Sequence, residues 1–213
     1  MTSEDDRGQS EAVLSVATRL FAALGYDSTS IRQIADAAGL DVAELTRRLG
    51  GKRDIYLAVM ERAFRAEQAA LGAAAAELEE TGSIHLLFDR YLDFYVANPE
   101  IVALWIHRWL MDAVDVAELE KQYVQPLMAM MGKSVGSVLG DQVDIDVEYT
   151  LWSVIWCVHG FVKTGVLEAD GRLRGPGDPR AMRRFRRHMH QMLHRHVGLP
   201  GDPPADGLSS HPS

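Results

Sequence analysis

The feature that most constrains this chain is a succession of apolar faces at helical spacing, each closed by glycine and reopened by a short polar cap. Val13, Ala17, Leu20, Phe21 and Leu24 fall at i, i+4, i+7, i+8 and i+11, which is one face of a helix. Gly25 ends it, because glycine tolerates the left-handed conformation that closes a helix. Tyr26-Asp27-Ser28-Thr29 is a connector. Ser30 with Gln33 three residues on reads as a capping box, opening a second helix through Ala38. Gly39 closes that helix, and Asp41 caps a short third one, Val42 to Leu49. After Gly50-Gly51, an Ala- and Glu-rich helix runs from Lys52 to Glu80. No convincing alternating strand is present, so an all-α fold is predicted.

Beyond Thr81-Gly82-Ser83 the helices become larger and richer in aromatic residues. The predicted spans are Ser83–Ala97, Pro99–Ala113, Val116–Leu139, Val147–Ala169 and Pro179–Val197. Asn98-Pro99 separates the first two, since a residue before proline avoids helical geometry and proline suits a first turn. This gives a helix-turn-helix unit over 10–56 and a larger helical domain over 57–197. Residues 1–9 and the proline-rich 198–213 are expected to be disordered. The single cysteine, Cys157, excludes an intrachain disulfide framework and any multi-cysteine zinc site. The acidic opening MTSEDDRGQS lacks the order of a secretory signal. No apolar stretch reaches about 18 residues. A soluble, cytoplasmic chain with no membrane partner is expected.

A net charge of −8 argues at first against a polyanionic partner. The average hides two basic islands. Residues 45–65 carry +4 through Arg47, Arg48, Lys52, Arg53, Arg62 and Arg65 against Asp54 and Glu61, and residues 172–196 carry +7. Basic charge confined to small faces still binds phosphate locally.

The three short helices match a helix-turn-helix position by position. Ala35 is small where two helices cross, Gly39 supplies the turn, and Leu40, Leu45 and Leu49 are apolar where the second helix needs anchors. Here the chain resembles the tetracycline-repressor (TetR) family. The resemblance rests on Ala17-x-x-Leu20-Phe21, Gly25-Tyr26, Thr29-Ser30-Ile31, Ile34-Ala35, Ala38-Gly39-Leu40, Leu45 and Lys52, and covers about residues 10–60. It implies a homodimeric, usually repressive transcription factor whose N-terminal domain binds double-stranded operator DNA. It also implies a C-terminal domain that binds a small-molecule effector and thereby releases the DNA. Three positions depart from the family pattern. Thr46 and Leu49 stand where the family usually carries a tyrosine and an aromatic residue, and Gly51 stands where a Ser or Thr would cap the next helix.

The candidate DNA contacts are Thr29, Ser30, Asp41, Val42, Glu44, Thr46, Arg47, Arg48 and Lys52. Arg47 and Arg48 lie about 100° apart on a helix, so they cannot share one direction. At least one is expected to face phosphate or a base edge, where arginine grips guanine with two bonds. The alternative is a solvated face. Lys52 opens a helix, a poor place for a cation unless phosphate is near. Thr29 and Ser30 serve the helix start in either reading. Asp41 and Glu44 either accept from a cytosine amino group, act as solvated caps, or select against wrong sequences.

The candidate effector residues are Tyr91, Tyr95, Trp105, Trp109, Met128, Trp152, Trp156 and His159. The tyrosines and both tryptophan pairs are i, i+4 neighbours, each on one helix face. Core packing explains any one of them; together they suit an adaptable apolar cavity. His188, His190, His194 and His196 cluster near the end of the last helix, where a cation-tolerant C-terminus accounts for them more cheaply than a metal does. No catalytic motif is found, and nothing calls for a cofactor or metal. The leading expectation is a ligand-responsive transcriptional regulator. The alternatives are a helical ligand-binding protein or enzyme without DNA-binding activity, and a regulator governed by a protein partner or metal.

Overall fold

Two helices of only eight residues begin and end where their caps dictate. Ser30 accepts from the Gln33 backbone N–H while the Gln33 side chain accepts from the Ser30 N–H, which opens α2 (Ile31–Ala38). Gly39, at φ 68°, closes it. Asp41 accepts from the Glu44 N–H at 2.7 Å and opens α3 (Val42–Leu49). These elements belong to a computed structural model that describes residues 3–116, 118–140 and 145–204. The others are α1 (Ser3–Leu24), α4 (Lys52–Thr81), α5 (Ile84–Ala97), α6 (Pro99–Trp109), α7 (Gln125–Leu139), α8 (Val147–Thr164) and α9 (Pro179–His196), with two-residue strands β1 (Val166–Leu167) and β2 (Leu173–Arg174) between the last two. Among the described residues, no helix is long and apolar enough to cross a membrane.

The chain forms two compact units. Met1–Ala66 and Glu100–Leu119 make the first; Glu67–Pro99 and Glu120–Ser213 make the second. The division therefore falls inside α4 rather than after residue 56, and the α6 segment joins the helix-turn-helix. In the first unit Val13, Ala17, Phe21, Ile34, Ala35, Leu45, Ile55 and Met60 are buried around three rings. Phe21 meets Tyr56 edge-on at 5.1 Å between centroids, and Tyr26 lies 4.7 Å from Tyr56. In the second unit, Leu71 and Leu78 of α4, Phe88, Leu92 and Tyr95 of α5, Val158 and Phe161 of α8, and Met189 and Leu193 of α9 form the core. Phe161 stacks on Phe185 at 4.1 Å.

Several boundaries differ from the sequence expectation, each for a local reason. Residues 3–9, expected to be disordered, are the start of α1. The helix expected over Pro99–Ala113 stops at Trp109, where the chain enters turns with Met111 and Ala113 at φ 70° and 55°. The helix expected over Val116–Leu139, which includes Ala117 outside the described residues, is instead a π-helical turn at Glu120–Val124 running into α7. Pro126 has no N–H to give to the preceding turn and its ring crowds that turn, so the backbone widens just before it. The helix expected through Ala169 ends at Thr164. Gly165, at φ 69°, lets the chain pass so close to β2 that a Cβ there would lie 2.5 Å from the Arg174 carbonyl. Of the expected tail, Leu199 N–H and the Gly201 carbonyl bond to the end of α9 through His194, and residues 205–213 lie outside the described residues.

Candidate nucleic-acid interface and effector core

The second helix of the helix-turn-helix presents its two arginines differently. Glu44 accepts from Arg47 Nε and Nη2 at 3.1 and 2.8 Å, and also from Arg48 Nε. Those bonds, from Arg47 first and Arg48 second, hold the Glu44 carboxyl down at about 2. Arg47 remains 69% exposed, whereas Arg48 is 18% exposed and bonds to Gln9 of α1. One arginine thus faces outward and the other ties α3 to α1. Asp41 is the helix cap, Val42 is half-buried, and the Thr46 hydroxyl donates to the Val42 carbonyl at 2.7 Å.

The connector before α2 is held from several sides. Thr29 is buried, with its hydroxyl donating to the Gly25 carbonyl at 2.6 Å, so its side chain shapes the turn. Ser30 is exposed at the cap. Lys52 lies over the Tyr26 ring at 4.1 Å, with Nζ 3.5 Å from the Asp27 carbonyl. That cation–π contact explains a cation at a helix start without any ligand. The α4 start itself is capped by Asp54, which accepts from the Gly51 N–H at 2.8 Å.

Sequence reasoning missed Asp112. It lies in the turns after α6 and accepts from the backbone N–H of Tyr26 at 2.5 Å and of Asp27 at 2.9 Å. His107 bonds to the Ala22 carbonyl at 3.2 Å, and Arg108 donates to the carbonyls of Asp112 and Ala113. A Cβ at residue 25 would stand 3.0 Å from the Asp112 carboxylate, at a φ of 81°. Gly25 is therefore required both by the backbone and by the carboxylate beside it. A contact spanning 86 residues leaves no local sequence signal.

The eight candidate effector residues divide between the units. Trp105, buried, and Trp109, half-buried, lie in the segment that joins the helix-turn-helix. The other six lie in the second unit. Tyr91 and Tyr95 pack at 4.7 Å, the His159 ring meets Tyr95 at 4.6 Å, and His159 Nε2 is 3.4 Å from the Tyr91 hydroxyl. The Tyr95 hydroxyl donates at 2.8 Å to Glu67, which is buried and was not singled out from the sequence. The signal was there: Glu67 lies on the stripe of α4 that carries Leu71 and Leu78. Trp152 and Trp156 stack at 5.8 Å, but Trp156 is 55% exposed, and Met128 is half-buried.

The sequence model of bacterial regulatory proteins of the tetR family matches residues 13–59, the stretch that holds α2, α3 and the start of α4. That stretch is a tetR-family DNA-binding domain. Solved structures share the chain's fold. A putative TetR-family transcriptional regulator from Mesorhizobium loti MAFF303099 is 14% identical, with 95% of this chain and 98% of that one covered and a TM-score of 0.62. A transcriptional regulator of the TerR/AcrR family from Aquifex aeolicus VF5 is 14% identical over 85% and 97%, at 0.61. HlyIIR, a hemolysin II transcriptional regulator, is 20% identical over 72% and 87%, at 0.58. No curated protein sequence matches. The chain is a DNA-binding transcriptional regulator, with a larger helical unit beyond its tetR-type helix-turn-helix.

Two outcomes test this geometry. Asp112→Ala should cost about 1–3 kcal/mol of stability by removing hydrogen bonds to a charged acceptor. The Tyr26 and Asp27 amides should then exchange with solvent faster while those of α1 stay protected; unchanged exchange at both would contradict the clasp. The second concerns acid. Burial pushes His159 down to about 4. An unfolded histidine takes a proton below about 6.5, which the folded one refuses until about 4, so stability is present above that range and lost as pH falls through it. The loss from His159 at pH 5 is about 2 kcal/mol. Urea titrations at pH 7 and pH 5 should show a smaller difference for His159→Phe than for the parent.

Proposed function

We propose that this regulator is a repressor that binds a pseudo-palindromic operator as a two-fold dimer and is released by a small apolar or aromatic effector. The observation that carries the reading is Arg47, an outward guanidinium on the capped second helix of a helix-turn-helix. In this reading α3 enters the major groove and Arg47 reads a base edge. Ser30 and Lys52 contact phosphate on either side. Arg48 and Thr29 act mainly by holding the frame, given their bonds to Gln9 and Gly25.

A dimer is supported by α8, which leaves Tyr149 67% and Trp156 55% exposed on one protomer. A two-fold protein covers such a face with its own copy and reads inverted half-sites. The effector is proposed to bind in the second unit, around Tyr91, Tyr95 and His159. There aromatic walls and the buried Glu67 carboxylate favour a flat, mostly apolar molecule with one polar group. Its signal has two covalent routes into the reading head. One is the continuous α4. The other is the α6 segment, which grips the connector through Asp112 and His107. A coupling of about 1–3 kcal/mol would weaken operator binding roughly 5–150-fold.

Selection of duplexes from a random library by the full chain, then binding at several salt concentrations, tests the reading. Selected sites should show inverted symmetry. Arg47→Ala should lose about 1–3 kcal/mol and relax specificity at one position. If no duplex is enriched, or if the folded Arg47→Ala variant binds like the parent at every salt concentration, the assignment fails. Sedimentation at micromolar concentration should give a dimer that Trp156→Glu splits; a monomeric parent would overturn the two-fold arrangement.

A further inference from the structure

Of the four histidines near the end of α9, which a cation-tolerant helix end accounts for in sequence, two are buried: His190 is 0% and His194 7% exposed, whereas His188 and His196 are exposed. The buried two belong to an unbroken row of hydrogen bonds between α5 and α9. His190 Nε2 is 2.9 Å from Asp89 Oδ1, and His190 Nδ1 is 2.8 Å from His85 Nδ1. His85 Nε2 is 3.2 Å from His194 Nδ1, and His194 Nε2 is 2.9 Å from the Gly201 carbonyl. The row has four links, and its two ends are acceptors only: a carboxylate and a carbonyl.

Each link needs one proton, and three neutral imidazoles carry three in all. Start from the Asp89 end with neutral rings: His190 gives its only proton to Asp89, His85 gives its own to His190, His194 gives its own to His85, and His194 Nε2 is left facing the Gly201 carbonyl. Starting from the other end leaves His190 Nε2 facing a carboxylate. Every arrangement of neutral rings sets two acceptors against each other at about 3 Å, in a site where an unmade hydrogen bond is costly. One more proton closes all four links.

We propose that the fold binds one proton in the Asp89–His190–His85–His194 row, and that this proton fastens α9 and the turn after it to α5. The proton belongs on His190, the ring in contact with the carboxylate. His190 then donates to Asp89 and to His85, His85 donates to His194, and His194 donates to Gly201. His85 must be the neutral bridge, and burial, the largest cause, pushes it down to about 4. Burial by itself would raise the Asp89 carboxyl, but the bonds from His190 and Arg186 hold it below its usual value, so it stays an anion.

Charged groups on both helices face the row. The groups facing the row from α5 are Asp89 and Asp93, and from α9 it is Arg186, which bonds to Asp89 at 2.5 Å and also to Asp93. Arg90 of α5 is paired with Glu77 at 2.8 and 3.0 Å and contributes no net charge. Arg186 bridges the two carboxylates, and an imidazolium at His190 gives Asp89 a second cationic donor. The edge of the Phe88 ring system meets His190 at 5.2 Å and closes the other side with apolar surface. A metal is not required to explain the cluster: among the described residues, no group of three or more His, Cys, Asp or Glu side chains is arranged to hold one.

The test uses the full chain with 15N-labelled histidine, read by long-range proton–nitrogen correlation at pH 7.5. Expected are one ring protonated on both nitrogens, assigned to His190 by its loss in His190→Gln, and two rings protonated on Nε2 only. An unfolded histidine gives up its proton above about pH 6.5. The folding constant of the parent should therefore fall by about tenfold per pH unit above that value, until the row itself deprotonates. Asp89→Asn keeps an acceptor oxygen but removes the charge, so its folding constant should lose this dependence and its His190 should be neutral at pH 7.5. Three singly protonated rings in the parent, or a folding constant that depends on pH alike in parent and Asp89→Asn, would overturn the proposal. So would a doubly protonated signal that is absent until zinc is added.

Discussion

Eight residues are too few for a helix to hold itself in water, where isolated helices shorter than about 12–15 residues are marginal. Both α2 and α3 have that length, so the reading head depends on what surrounds them. Capping by Ser30 and Asp41 satisfies N–H groups that water would otherwise compete for. Burial of Ile34, Ala35 and Leu45 against Phe21 and its neighbours supplies the rest. Ala35 is fully buried, and a larger side chain there would push the helices apart. The angle at which α3 faces outward is thus a property of the α1–α4 core and not of α3.

That dependence explains why so much of the head was legible and so little of what holds it. Caps, glycine closures and apolar spacing are local, and Ser30–Gln33, Asp41, Gly25 and Gly39 all act as their sequence context predicts. The widening of the chain before Pro126 was also written locally, in a proline inside an apolar helical pattern, and was passed over. Asp112 on Tyr26 and Asp27, Arg48 on Gln9, and His85 on His190 are different. They join residues 39 to 105 positions apart, and a carboxylate or an imidazole looks the same in sequence whether it is solvated or buried. The aromatic pairs were legible as faces, but a face does not say which unit it packs in. Trp105 and Trp109 fall with the reading head because the segment after Pro99 joins that unit, which periodicity alone does not reveal.

The buried carboxylates of the second unit follow one rule. Glu67 is met by the Tyr95 hydroxyl, and Asp89 by Arg186 and His190. A buried ion without partners would instead shift its protonation or unfold its surroundings.

Glu44 sets the charge balance on the outer side of α3. With its carboxyl held at about 2, it is an anion at any pH at which the protein works, and it faces both arginines of α3. Non-specific attraction to DNA comes from cations free to replace condensed counterions. A carboxylate between Arg47 and Arg48 removes part of that attraction from a molecule already at −8. The Arg47–Glu44 bond is exposed, and exposed pairs are worth about 0–1 kcal/mol, against about 1–3 kcal/mol for a two-pronged grip on guanine. An Arg47 that reads a base therefore leaves Glu44 only where the right base offers more than the carboxylate does. A general phosphate, reached through one bond and weakened by salt, offers less. If Arg47 reads a base as proposed, Glu44 lowers affinity everywhere and costs least at the correct site, so an acidic residue inside that helix raises specificity.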